Sequence, residues 1–135
     1  MAEHLLRKMV ADAGLPGVQV SSAGTSPAFD LKLPEEAMEA LAEEGVERPK
    51  HRPKALDEAS VAAARFIFAM ESHHRDIVLK RFPSSTGRVH LLRAFAGLPA
   101  PAGVADPYGG SIEDYRKALG DIKAALTSIV LKWKA

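Results

Sequence analysis

The stretch "ARFIFAM", Ala64 to Met70, decides the fold. Arg65 alone interrupts its apolar run, and a run without polar alternation suits a strand buried on both faces, as in a parallel sheet covered by helices. On its C-terminal side "SHHRDIVLKRF", Ser72 to Phe82, reads as a helix, and "RVHLLRAF", Arg88 to Phe95, as the next strand. On its N-terminal side "VERPKHRPKALDEA" carries two prolines and five basic residues, which makes it a polar loop with a short helix after it. Strands separated by helices give an α/β chain: a doubly wound parallel sheet flanked by helices, with ligands expected beyond the carboxyl ends of the strands.

The outer segments extend this pattern. "AEHLLRKMVADAG" places Leu5, Leu6, Met9 and Val10 on one helical face and stops at Gly14 and Pro16. "GVQVSSAGT" reads as a short strand, Val18 to Ser22, running into a small-residue turn. Pro34 opens the next helix, "LPEEAMEALAEEG", with acidic residues early and Gly45 just past its end. The C-terminal segment repeats Ile112, Tyr115, Leu119, Ile122, Leu126, Ile129 and Trp133 at three-and-four spacing. That predicts one long helix with an apolar face, with Ser111 as its N-cap and Asp114 three residues on.

At 135 residues and 47% hydrophobic content the chain, residues 1–135, forms one domain with a real core. Eighteen Lys and Arg against seventeen Asp and Glu leave a formal charge of +1 with the signs interspersed, which argues against a nucleic-acid partner. No apolar run is long enough to span a bilayer and no secretory leader is visible, so no membrane partner is expected and the location is cytoplasmic by default. With no cysteine, disulfides, thiolate metal sites and cysteine nucleophiles are excluded in the chain as written. No cofactor is implied, because dinucleotide and nucleotide phosphate loops are both lacking, as is a G-x-S-x-G elbow.

Beyond the third strand lies "VADPYGGSIEDY", Val104 to Tyr115. Asp106 before Pro107 is biased to an extended backbone, the proline fixes its own φ, and Gly109 and Gly110 let the chain turn sharply into the helix. Such a loop can hold a carboxylate over a cleft as a general acid requires, or it can simply be a loop ending at a capped helix. His73 and His74, adjacent on a helix, point about 100° apart, so a shared metal ion is not expected and no metal site is read. His51 either is solvated or braces a neighbouring loop; His90 is structural.

"VSSAGT", "FAMESHH" and "VADPYGGSIEDYR", in this order and at these separations, resemble the low-molecular-weight protein tyrosine phosphatase family, closest to its bacterial branch, which includes protein arginine phosphatases. The resemblance covers essentially the whole chain. It implies that Asp106 is the general acid that protonates the leaving oxygen or nitrogen as phosphate passes to a cysteine, then helps water attack the phosphoenzyme. By the same likeness Tyr108 is an aromatic wall of the substrate cleft, Thr25 to Phe29 form another wall, and Ser22 and His51 brace the phosphate-binding loop. The implied substrates are phosphorylated proteins, through phosphotyrosine or phosphoarginine, or small phosphate esters.

The chain departs from the family at its start. Family members open with a strand and a C-x5-R loop that runs into "P-M-A-E" at the first helix, whereas this chain begins "MAEHLLRK". About fifteen residues are therefore expected to be missing: the strand central to the family's sheet, and the loop carrying nucleophile and arginine clamp. Arg65 also stands where an acid often precedes the third strand. The domain reads as N-terminally truncated and, as given, inactive. Either an enzyme has been started or cut at an internal methionine, or the chain is a nucleophile-less relative that serves as a binding module. A related thioredoxin-coupled arsenate reductase would need cysteines. Without the central strand, the Val18–Ser22 and "RFIFAM" strands are expected either to pair directly into a three-stranded sheet or to have the gap filled by another chain.

Overall fold

The structure is a computed structural model, and it describes residues 1–25 and 33–135. Its elements are α1 (Ala2–Asp12), α2 (Glu35–Glu43), α3 (Glu58–Ala63), β1 (Ile67–Ala69), α4 (Ser72–Arg81), β2 (Val89–Leu91), α5 (Leu92–Phe95) and α6 (Ile112–Lys134).

The long helix α6 is the spine. Its expected apolar face is the one it buries: Tyr115, Leu119, Ile122, Leu126 and Ile129 are all buried, joined by Ala118, Ala125 and Val130. Against this face pack Leu5, Leu6 and Val10 of α1, Ala37, Ala40 and Leu41 of α2, and Leu92 at the start of α5, forming one core. Ser111 and Asp114 start the helix with a reciprocal capping box: the Asp114 carboxylate accepts from the Ser111 N–H at 2.9 Å, and the Ser111 hydroxyl accepts from the Asp114 N–H at 3.3 Å.

β1 and β2 run parallel, with Ile67 opposite Val89 and Ala69 opposite Leu91. α4 connects them and packs along both. An aromatic cluster fastens this pair to the spine: the Phe66 ring lies 5.8 Å from that of Trp133 and 5.4 Å from that of Phe95, and Phe68 lies 5.0 Å from Phe95. Arg88, just before β2, donates to the Val61 and Ala64 carbonyls and so closes the C-terminal end of α3.

Three expectations are corrected. The Val18–Ser22 segment is not a strand, and the sheet among the described residues has two strands rather than three. A strand exists by virtue of the ladder beside it, and β1 does not reach this segment. Instead the Arg7 side chain takes the Val20 carbonyl at 2.8 Å. Within it Val18 donates to the Leu15 carbonyl at 3.3 Å, and beyond it Gly24 donates to the Lys54 carbonyl at 2.8 Å and accepts from the Leu56 N–H at 3.0 Å. Second, the strand read across Arg88 to Phe95 holds only to Leu91, after which the chain turns into α5. Third, the "ARFIFAM" strand is not buried on both faces: Phe66, Ile67 and Phe68 are half-buried and Ala69 alone in the strand is buried.

Candidate functional site

The residues singled out in the sequence fall into two groups. The first lies on the loop entering α6. Asp106 is exposed, and one of its carboxylate oxygens accepts from the Tyr108 N–H at 2.9 Å, so the side chain itself pins the turn that follows. The Gly110 N–H donates to the Pro107 carbonyl at 2.8 Å, and Gly109 takes φ +79°, a conformation a side chain would strain. A Cβ on Gly110 would stand 2.5 Å from an Asp114 carboxylate oxygen, so the second glycine lets the loop close onto the capping box. Tyr108 projects outward at 71% exposure.

Two further contacts set where this loop sits. The Val104 N–H donates to the Met70 carbonyl at 2.6 Å, and a Cβ on Gly103 would meet that carbonyl oxygen at 2.1 Å. The loop is thus pressed against the carboxyl end of β1, where the α/β rule places a ligand. Tyr115, at the first turn of α6, is buried. Burial pushes its hydroxyl above its usual range, and the Glu36 and Asp106 carboxylates add to the effect. Sequence periodicity marked Tyr115 as core and missed its polar end; Gly103 carried no sequence signal at all.

The second group surrounds the first turn of α1. The Ser22 hydroxyl donates to one Glu3 carboxylate oxygen, Oε1, and Arg7 holds the other at 2.6 Å. His51 Nδ1 lies 4.0 Å from the same Oε1 and 3.0 Å from Nε2 of His4, with the two imidazoles edge to face. His4 is buried at 5% exposure. Burial pushes both imidazoles below their usual titration range, partly opposed by the Glu3 charge. Burial alone would raise the Glu3 carboxyl, but hydrogen bonds from Ser22 and Arg7 outweigh it and hold that group below its ordinary range. Ser22 and His51 thus approach the same Glu3 oxygen. Glu3 and His4, which join them, escaped sequence reasoning because His4 meets its partner 47 residues away.

Thr25 is half-buried just past the Gly24 bridge to the His51 loop; Phe29 lies outside the described residues. Among the described residues no hydrogen bond or ion pair joins the Asp106 group to the Ser22 group. The adjacent histidines lie at the N-terminus of α4. The His73 and His74 rings approach to 4.1 Å, and one donor atom from each, with one from Glu71, lie within 4.8 Å of one another. Side-chain torsions close the angle that the helix opens.

The family model described as low molecular weight phosphotyrosine protein phosphatase matches residues 1–134. The chain belongs to that family. Among curated relatives, a protein-arginine-phosphatase of Geobacillus stearothermophilus is 33% identical over 118 residues, covering 87% of this chain and 78% of the relative. Among solved structures, the arginine phosphatase YwlE of the same organism superposes with a TM-score of 0.87 at 32% identity, over 98% of this chain and 82% of that one. A low-molecular-weight protein tyrosine phosphatase of T. tengcongensis gives 0.88 at 26% identity, over 97% and 88%. The phosphatase fold is thus shared through nearly all of this chain, while the chain itself contains no cysteine. No described helix is long and apolar enough to cross a membrane.

Proposed function

We propose that this low-molecular-weight phosphatase chain carries the acid side of a phosphoprotein phosphatase site, with Asp106 as general acid, Tyr108 and the Thr25–Phe29 segment as cleft walls, and Ser22 and His51 as loop braces. Supplied with a strand and a C-x5-R loop ahead of Met1, it would act through a cysteinyl-phosphate on phosphotyrosine or phosphoarginine, in the cytoplasm. The observation that carries this reading is the Asp106 turn: an exposed carboxylate, tied to the Tyr108 N–H and pressed by Gly103 against the carboxyl end of β1. A proton donor must sit at a fixed point over the reacting bond, and the tied, closely packed loop supports that reading.

Chain 1–135 alone lacks a thiolate, and it is expected not to turn over p-nitrophenyl phosphate, a substrate with an easy leaving group. Turnover that survives purification and disappears in Asp106→Asn would overturn this. In the restored protein, Asp106→Asn keeps the shape and removes the proton. General acid catalysis contributes about 10²–10⁴-fold, so the loss should grow with the basicity of the leaving group. Equal slowing of all aryl phosphates at the phosphoenzyme-forming step would remove Asp106 from the role. The lack of any cysteine favours a second reading for the chain as given, a binding module that takes phosphorylated protein without hydrolysing it.

A further inference from the structure

The cluster at the first turn of α1 has the composition of a metal site. It combines two imidazoles and one carboxylate, and a donor atom from each of Glu3, His4 and His51 lies within 4.8 Å of the others. Tetrahedral Zn²⁺ takes nitrogen and oxygen ligands at about 2.0–2.2 Å, which sets its donors roughly 3.3 Å apart. The His4–His51 nitrogen pair stands at 3.0 Å and the His51–Glu3 pair at 4.0 Å, on either side of that spacing. Small side-chain rotations would bring the set into register.

The surroundings also fit. Ligating carboxylates are usually oriented by hydrogen bonds from outside the coordination shell, and Ser22 and Arg7 orient both oxygens of Glu3. The adjacent cations are Arg7, whose charge is already engaged by Glu3, and the Met1 α-amine, which burial pushes towards its neutral form. His4 also lines an open cleft with Arg7, Lys8 and Val46, so one ligand of the set adjoins solvent-accessible space.

We propose that Glu3, His4 and His51 form a divalent-cation site suited to Zn²⁺, bound through Nε2 of His4, Nδ1 of His51 and Oε1 of Glu3. The hydrogen bond between the two rings places one proton between the nitrogens that would ligate. On binding, that proton passes through water to the other nitrogen of the same ring, and with both rings neutral no net proton is released. The site is separate from Asp106 and does not depend on phosphatase turnover.

The test is calorimetric titration of ZnCl₂ into chelator-free chain 1–135, paralleled by Co²⁺ absorption, in which a tetrahedral ion gives intense visible bands. One equivalent is expected in the parent chain. Glu3→Gln, which keeps an acceptor for Ser22, and His51→Ala should each weaken it at least tenfold, as loss of even outer-shell partners costs about 10–100-fold. The double variant His73→Ala/His74→Ala, which removes the cluster on α4, should leave the affinity unchanged. Circular dichroism before metal addition identifies any variant that has failed to fold, and Glu3→Gln then decides alone. No saturable binding by the parent, unchanged affinity in Glu3→Gln, or loss of binding in the His73/His74 variant would each overturn the proposal.

Discussion

At the scale of single residues, two glycines show how context gives the same substitution opposite signs. Gly103 faces the Met70 carbonyl so closely that a Cβ would stand 2.1 Å from it, and a backbone oxygen has little room to retreat. Gly103→Ala should therefore cost about 1–3 kcal/mol, as overpacking does, and displace the loop that carries Asp106. Gly120 lies within α6, exposed, and a Cβ there would have nothing within 4 Å, so Gly120→Ala should gain about 0.4–1 kcal/mol. Urea unfolding of the two variants checks both, and a stabilised Gly103→Ala would show that the loop is not held against β1. Sequence alone separates these glycines only in part. The helix-interior cost of Gly120 is local and readable, whereas the contact of Gly103 depends on a carbonyl 33 positions earlier in the chain. The turn at Asp106 was legible for the converse reason: its proline, glycines and cap are all within eight residues of it.

At the scale of elements, legibility followed the range of the forces that make each one. α6 was read nearly to the residue, since a three-and-four repeat and a capping box are written within the segment itself. Its energetics should follow the same face. Leu126, 1% exposed, should lose about 2–5 kcal/mol on truncation to alanine through transfer and cavity terms. Leu131, 61% exposed on the same helix, should change by no more than about 0.5 kcal/mol. Thermal or urea unfolding of the pair separates these outcomes, and equal effects would contradict the packing described for α6. Strands gave the opposite result. Val18–Ser22 has the composition of a strand but no neighbour to bond, and "ARFIFAM" yields three strand residues because its burial depended on elements beside it. Composition proposes a strand and its neighbours decide.

At the scale of the whole molecule, the arrangement leaves backbone groups that a sheet would use. Among the described residues, Gln19 to Ala23 take part in no backbone–backbone hydrogen bond. The Ile67 N–H points to β2, donating to the Arg88 carbonyl at 2.8 Å, and strand alternation turns the Phe68 groups to the opposite edge. Gln19, Ser21 and Ala23 are exposed and can turn to water, whereas Phe68 is half-buried, and an unpaired backbone group shielded from water costs about 1–3 kcal/mol against a net domain stability of about 5–15 kcal/mol. An extended segment of another chain laid along β1 would satisfy the Phe68 groups, so chain 1–135 should associate as its concentration rises. Sedimentation should show the shift in mass. Hydrogen exchange should show protection at Phe68 growing in parallel, because pairing at that edge, and not merely contact somewhere on the surface, is what the unpaired groups demand. A strictly monomeric chain with rapid exchange at Phe68 at every concentration would sink the expectation. Association without that protection would move the interface elsewhere and leave the edge of β1 to water.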